Sequence, residues 1–224
     1  MTGVQTCALP IYQQRPAPEG GERFRKEWFR YFSENQECYV LHDPIRGERA
    51  IRKSECAYRF ATADTAFTTK KASDFTAVGI WCMTPEQDLL LLHAIHQKME
   101  DPEVEKLLRT INGRFGCLFT AVEKKNSGQT LLQRLNRDGI RIRELVADTD
   151  KLTRAQPAEI DFENGKIYFL KDALWLPELE AELQLFPNAR HDDFVDMIAY
   201  AAMERGKALP VVTDFGEVTL VPWG

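Results

Sequence analysis

The order of the patterned segments constrains this chain most. Three β-type runs follow one another, at Tyr58–Ala63, Thr76–Met83 and Asp88–Gln97. Turn-type residues Thr84–Gln87 separate the last two, as in a hairpin. Beyond them the pattern alternates. Pro102–Asn112 places Val104, Leu107, Leu108 and Ile111 at helical spacing, and Cys117–Val122 is a compact apolar strand. Thr130–Arg137 carries Leu131, Leu132 and Leu135 as a helix would, and Ile140–Val146 alternates as a half-buried strand. Two further helices are predicted at Leu174–Phe186 and Asp192–Glu204. An order β-β-β-α-β-α-β-α-α argues for an α/β fold: a mixed sheet with helices on its faces.

Composition agrees. The chain has 224 residues, is 44% hydrophobic and 28% charged, and carries a formal net charge of −5. That is enough apolar residue for a real core and does not describe a disordered chain. No apolar stretch approaches the roughly 20 residues that span a bilayer, so no transmembrane protein is expected. Mild acidity argues against a tail-type polyanion binder but leaves room for an enzyme that handles DNA through one local patch. The charge is uneven: residues 12–60 sum to +2 and residues 61–224 to −7.

The start of the chain reads differently. Residues 2–11, TGVQTCALPI, lack the basic segment and long apolar run of a signal peptide. All ten match the in-frame translation of a common sequencing-library adapter, so residues 1–11, with Cys7, are expected to be adapter-derived. Pro16, Pro18, Gly20 and Gly21 mark a linker, and residues 12–57 are expected to be a linker and docking segment. In it, Trp28, Phe29, Tyr31 and Phe32 are expected to pack on the main domain rather than stack on bases. Residues 58–207 form that domain and 208–224 a tail. Cys38, Cys56, Cys82 and Cys117 form no CxxC pair and read as reduced thiols of an intracellular protein.

Carboxylates are the candidate chemistry. Asp64 follows the first strand among small residues, Ala61 to Ala66, which allows a ligand to approach closely. Glu123 ends the strand Leu118–Val122. Asp192, Asp193 and Asp196 open the last helix, three and four residues apart. If the strands that carry Asp64 and Glu123 are neighbours, those two acids lie side by side, and the helix supplies a third. Converging acids repel one another unless divalent cations neutralise them, and hard oxygen ligands suit Mg²⁺ or Mn²⁺. Two such ions about 4 Å apart clamp the attacking and leaving oxygens of phosphodiester hydrolysis. Taken singly, each acid reads as a solvated strand end or a helix-start charge. Local sequence does not make them converge.

A family resemblance does. Asp64 to Phe67 with Ser73 to Ala77, Val122 to Gly128, Asp150-Lys151 with Arg154, Asn164 to Ile167, and Leu179 to Asp196 with Phe186-Pro187 occur in one order along the chain. Together they resemble the C-terminal nuclease domain of tailed-phage terminase large subunits, the DNA-packaging motor protein. The segment from Tyr12 to Phe32 resembles the stretch joining that family's ATPase domain to its nuclease. The resemblance implies an RNase H-like fold and a metal-dependent endonuclease acting on concatemeric double-stranded DNA. It implies Asp64, Glu123 and Asp193 as the metal-binding acids, with Asp192 and Asp196 as further candidates for the third slot. Asp74 matches a second acid after the first strand, placed to orient substrate or water. A portal protein and a small terminase subunit are the implied partners, and the host cytoplasm, at the procapsid portal, the implied place. No GxxxxGK[ST] P-loop is present, so translocation is not expected of this chain and an upstream ATPase domain is expected to be missing.

Lys124, Lys125, Lys151 and Arg154 flank the acids; Lys124, Lys151 and Arg154 are candidates for phosphate contact, and Lys125 reads as solvated surface. Gly128 after Ser127 would let a helix N-terminus approach a phosphate. His93 and His96 point to opposite faces of a strand and read as core or surface histidines, and His191 as a helix-start hydrogen bond. Two other readings keep the acids in view: an RNase H-like transposase, integrase or junction resolvase, and a non-catalytic docking fragment.

Overall fold

In the computed structural model the described residues are 23–65, 75–123, 129–145, 149–207, 209–212 and 218–221. Along them run β1 (Arg30–Glu34), β2 (Cys38–Asp43), β3 (Gly47–Arg52), β4 (Tyr58–Asp64), β5 (Phe75–Met83) and β6 (Leu89–Lys98). Then come α1 (Asp101–Phe115), β7 (Thr120–Glu123), α2 (Gln129–Arg137), β8 (Ile142–Leu145), α3 (Lys151–Glu163), β9 (Ile167–Leu170), α4 (Leu176–Leu185) and α5 (Asp193–Lys207). A hairpin of β10 (Leu209–Val212) and β11 (Val218–Val221) follows.

The first nine strands form one mixed sheet in the order β3-β2-β1-β9-β6-β5-β4-β7-β8. β4, β5 and β6 are an antiparallel meander, as their sequence order predicts. β7 lies parallel to β4, and β8 parallel to β7, each reached through a crossover helix. β2 is antiparallel to both β1 and β3, and the three join the sheet where β1 pairs in parallel with β9. Three strands between residues 30 and 52 are therefore part of the sheet, and Phe24 and Phe29 before them are buried in the main core.

The period-2 alternation of strands decides which side chains meet which helices. Ala61 and Ala63 of β4, Val78 and Ile80 of β5 and Val122 of β7 face α1 and α2, meeting Val104, Leu108, Ile111, Leu132 and Leu135. Phe60, Ala77, Trp81, Phe119 and Ala121 face the other way, against α3, α4 and α5. By the same alternation Thr62, Asp64 and Glu123 look toward α5.

α5 is buried on nearly every side, from Phe194 through Ala202, because it lies between the sheet and α3. Two features seat it. Gly79 on β5 leaves room for Met197, whose Sδ would stand 2.7 Å from a Cβ at that position. Thr62 Oγ1 donates to the Met197 carbonyl at 2.9 Å and accepts from Trp81 Nε1 at 2.8 Å. A buried hydroxyl with both roles satisfied fixes the height of the helix on the sheet.

Several elements differ from the pattern-based expectation: β1, β2, β3, β9 and α3 have no counterpart in it, and α4 starts later. α3 spans Lys151–Glu163 although Pro157 lies inside it, a residue that argues against a helix on local grounds. Asp150 caps it, accepting from the Thr153 N–H at 3.0 Å, and its buried Ala155, Ala158 and Phe162 supply the stabilising contacts. α4 begins at Leu176 rather than Leu174, with Pro177 in its first turn, where a missing N–H costs nothing.

Candidate active site

Asp64 is the last residue of β4 and Glu123 the last of β7. The strands are parallel neighbours, with Ala63 opposite Val122, so the register carries Asp64 and Glu123 to the same end of the sheet. Two residues before each acid, on the face toward α5, stand Thr62 and Ala121, small enough to let the helix approach. The first turn of α5 closes over this end, held down by the Thr62–Met197 hydrogen bond one residue beyond Asp196.

Asp196 lies in that turn and is 7% exposed; Asp64 is 8% exposed. Burial pushes the Asp196 carboxyl up to about 6; Arg154 opposes the rise, while Asp64 and Asp192 add to it. Asp196 is thus in electrostatic contact with both other acids. Arg154 from α3 reaches it with Nε at 2.9 Å and a terminal nitrogen at 3.0 Å, a two-pronged pair. Burial works against the charge on Arg154, but Asp196, Tyr200 and Glu123 outweigh it and raise the guanidinium pKa. One turn earlier on α3, Lys151 pairs with Asp192. Asp64, Glu123, Asp192 and Asp196 are therefore brought into one neighbourhood, with Lys151 and Arg154 set against two of them.

Asp193 points elsewhere. Its Oδ2 lies 3.2 Å from His96 Nε2 and 3.9 Å from His191 Nδ1. His96 is packed between Phe75 and Phe194, at centroid distances of 4.6 and 4.7 Å, and its Nδ1 lies 2.8 Å from Glu178 Oε1. A helix turns 100° per residue, so Asp192 and Asp196 share a face that Asp193 does not. Asp74, Lys124, Lys125, Ser127 and Gly128 lie outside the described residues.

His96, read from the sequence as a core or surface histidine, and Tyr200, not singled out there, both belong to this region. His96 ties the first turn of α5 to α4, a pairing across 97 residues that no local spacing announces. Tyr200 follows Asp196 by four residues and Asp192 by eight, so the helical period places it in the same row. Burial, then Asp64, Asp196 and Glu123, raise its hydroxyl pKa. Its ring carries the Arg154 guanidinium at 6.0 Å from the centroid.

Hard carboxylate donors of this kind suit a divalent cation such as Mg²⁺ or Mn²⁺. Among the described residues, no group of three or more His, Cys, Asp or Glu is set as it stands to hold a metal ion. The donor set nevertheless fits in chemistry: Asp64 and Glu123 end neighbouring strands beside Asp192 and Asp196, and among the described residues the buried Tyr200 hydroxyl has no hydrogen-bond partner.

A mixed sheet with helices on both faces, parallel strands flanking an antiparallel meander and acids at the strand ends, defines an RNase H-like fold. Residues 61–205 match the profile of the terminase RNaseH-like domain, and the chain belongs to that family. Solved structures agree on the fold. The large terminase nuclease of thermophilic phage G20c with bound magnesium superposes with a TM-score of 0.57 at 13% identity, covering 84% of this chain and 99% of that one. The large terminase nuclease domain of Thermus phage P74-26 gives 0.53 at 13%, covering 78% and 90%. The human cytomegalovirus terminase nuclease domain gives 0.51 at 14%, covering 73% and 87%. No curated protein matches the chain. Among the described residues no helix is long and apolar enough to cross a membrane.

Proposed function

We propose that this chain is a divalent-cation-dependent endonuclease of viral DNA packaging that cuts concatemeric double-stranded DNA. One observation carries the reading: the acids at the ends of β4 and β7 meet the first turn of α5 at one end of an RNase H-like sheet. Asp64, Glu123 and Asp196 are the side chains that would hold the cations, with Asp192 beside them. Asp193, turned to His96, anchors the helix instead. The G20c nuclease, solved with bound magnesium and with bound cobalt, supports a divalent ion of this class. Such ions, Mg²⁺ or Mn²⁺, supply charge neutralisation and clamp the oxygens of phosphodiester hydrolysis.

The chain's own cations complete the site. Arg154 and Lys151 neutralise Asp196 and Asp192 when no other cation does. Once the acids are otherwise neutralised, the same two side chains are released to phosphate oxygens, for which the Arg fork is well shaped. Lys124 and Asp74 remain candidates for substrate contact from the sequence alone. A portal protein and a small terminase subunit are the partners this role requires, in the host cytoplasm.

Purified chain with supercoiled plasmid and Mg²⁺ or Mn²⁺ is expected to yield nicked and linear DNA. Asp64→Ala should reduce cutting to background while the circular dichroism spectrum is unchanged. Intact plasmid with the wild-type chain, and again with a longer chain carrying an ATPase domain, would overturn the proposal.

A further inference from the structure

Tyr200 is the largest buried group at the acid end of the sheet that the reading above does not use. It is 0% exposed, and among the described residues its hydroxyl has no hydrogen-bond partner. Buried hydroxyls are nearly always bonded, because leaving one unpaired costs free energy that an equally large phenyl ring would not cost. A Phe would fill the same space between the sheet and α3. The position of the hydroxyl is also specific. Tyr200 lies in the row of Asp192 and Asp196 on α5, and its electrostatic neighbours are Asp64, Asp196, Glu123 and Arg154. It is surrounded by carboxylates yet bonded to none of them.

We infer that the Tyr200 hydroxyl is a positioning donor of the cleavage site, holding an oxygen that enters with the hydrated divalent cation between Asp64, Glu123 and Asp196. This rests on the proposed nuclease reading. The donor needs an acceptor, and the acids beside it attract a hydrated cation. A hydroxyl with no exposed surface would meet a water of that cation rather than a phosphate of a duplex. It then fixes that water's orientation and the helix row that carries Asp196.

Tyr200→Phe in the full chain tests this. A structural hydroxyl and a positioning hydroxyl differ in when they matter. Without divalent cation the variant is expected to melt at the wild-type temperature or above it, because an unpaired buried donor has been removed. With Mn²⁺, calorimetry should show binding weaker by roughly 10-fold or more, and the Mn²⁺-induced rise in melting temperature should shrink accordingly. Plasmid nicking at saturating Mn²⁺ should slow by roughly 10- to 100-fold with the KM for DNA unchanged. A variant that fails to fold, or that melts lower by the same amount with and without Mn²⁺ and binds Mn²⁺ like the wild type, assigns the hydroxyl to the fold and overturns the inference. Asp64→Ala separates the two levels. If Mn²⁺ does not stabilise the wild type and Asp64→Ala changes nothing, the site reading fails and this inference with it. If both behave as the site requires and Tyr200→Phe matches the wild type, only this inference fails.

Discussion

Two buried carboxylates in this molecule sit among cations, and they differ in how their charge is balanced. Asp88, 0% exposed, precedes β6. One of its oxygens takes Lys166 Nζ at 3.1 Å and the other takes Arg49 at 2.9 Å, with Arg46 at 3.9 Å. Its own N–H donates to Thr84 Oγ1 at 2.9 Å. Asp196 has a single Arg154 fork, and the groups around it include Asp64 and Asp192. At Asp88 cations close on one buried acid from both oxygens; at Asp196 one guanidinium holds an acid on which Asp64 and Asp192 also act. The first is a closed structural network that pins β3, through Arg49, to the β6 and β9 strands. The second is a gathering of acids around one guanidinium, the arrangement that the proposed cation-dependent activity would use.

The comparison breaks most easily at Asp88. Asp88→Asn removes the charge that holds Arg49, Arg46 and Lys166 together and leaves those cations facing one another. The expected loss is about 3–5 kcal/mol of unfolding free energy, read from urea denaturation. Nicking per folded molecule should stay at the wild-type level. If stability is unchanged, or if cutting falls as it should for Asp64→Ala, the two networks are not the different objects described here.

Gly79→Ala probes the link between fold and site. The new methyl would stand 2.7 Å from Met197 Sδ and 2.8 Å from Trp81 Nε1, and Trp81 is tied to Thr62. Overpacking of this kind costs about 1–3 kcal/mol. It also lifts α5 where Asp196 depends on it, so nicking per folded molecule should fall along with the denaturation midpoint. Stability loss with normal nicking would show that the seat of α5 tolerates displacement.

How much of this was legible in the sequence follows from which contacts are local. The β4–β6 meander, the crossover helices and the acids at the strand ends are written in short periods and turn residues. The alternation Thr62–Asp64 and Ala121–Glu123 even assigns the acids to a face once β4 and β7 are paired. The pairing itself is not local, and neither is β9, a strand of only four residues that draws β1, β2 and β3 into the sheet. α3 is hidden by Pro157, because its stability comes from Ala155, Ala158 and Phe162 against α5 rather than from propensity. The choice among Asp192, Asp193 and Asp196 depends on the rotation of α5. Thr62, Gly79 and His96 set that rotation, and they stand 97 or more residues from the acids they orient.

The smallest expected effect concerns the opposite face of α5. Burial pushes the Glu182 carboxyl of α4 up to about 8; the Val195 and Phe194 N–H groups and His96 oppose the rise, and Asp193 adds to it. Glu182 Oε1 accepts the Val195 N–H at 3.0 Å, so it holds the first turn of α5 from the side away from Asp64. In the unfolded chain this carboxyl ionises near 4.5. Between those two values the folded chain keeps a proton that the unfolded chain has released. Stability therefore falls as pH rises from about 4.5 to about 8 and levels off above, the direction linkage requires for a raised carboxyl. Glu182→Gln keeps the acceptor oxygen and removes the titration. Relative to the wild type it should gain about 1 kcal/mol at pH 8.5 and nothing at pH 4, read from urea denaturation at both values. A wild-type stability that rises through this window, or a variant that follows the wild-type slope, would contradict the assignment. The same variant also sharpens the comparison. If Mn²⁺ affinity is unchanged, the Asp193–His96 face of α5 serves as an anchor. If the affinity moves with Glu182, the acid site extends around the helix to include it.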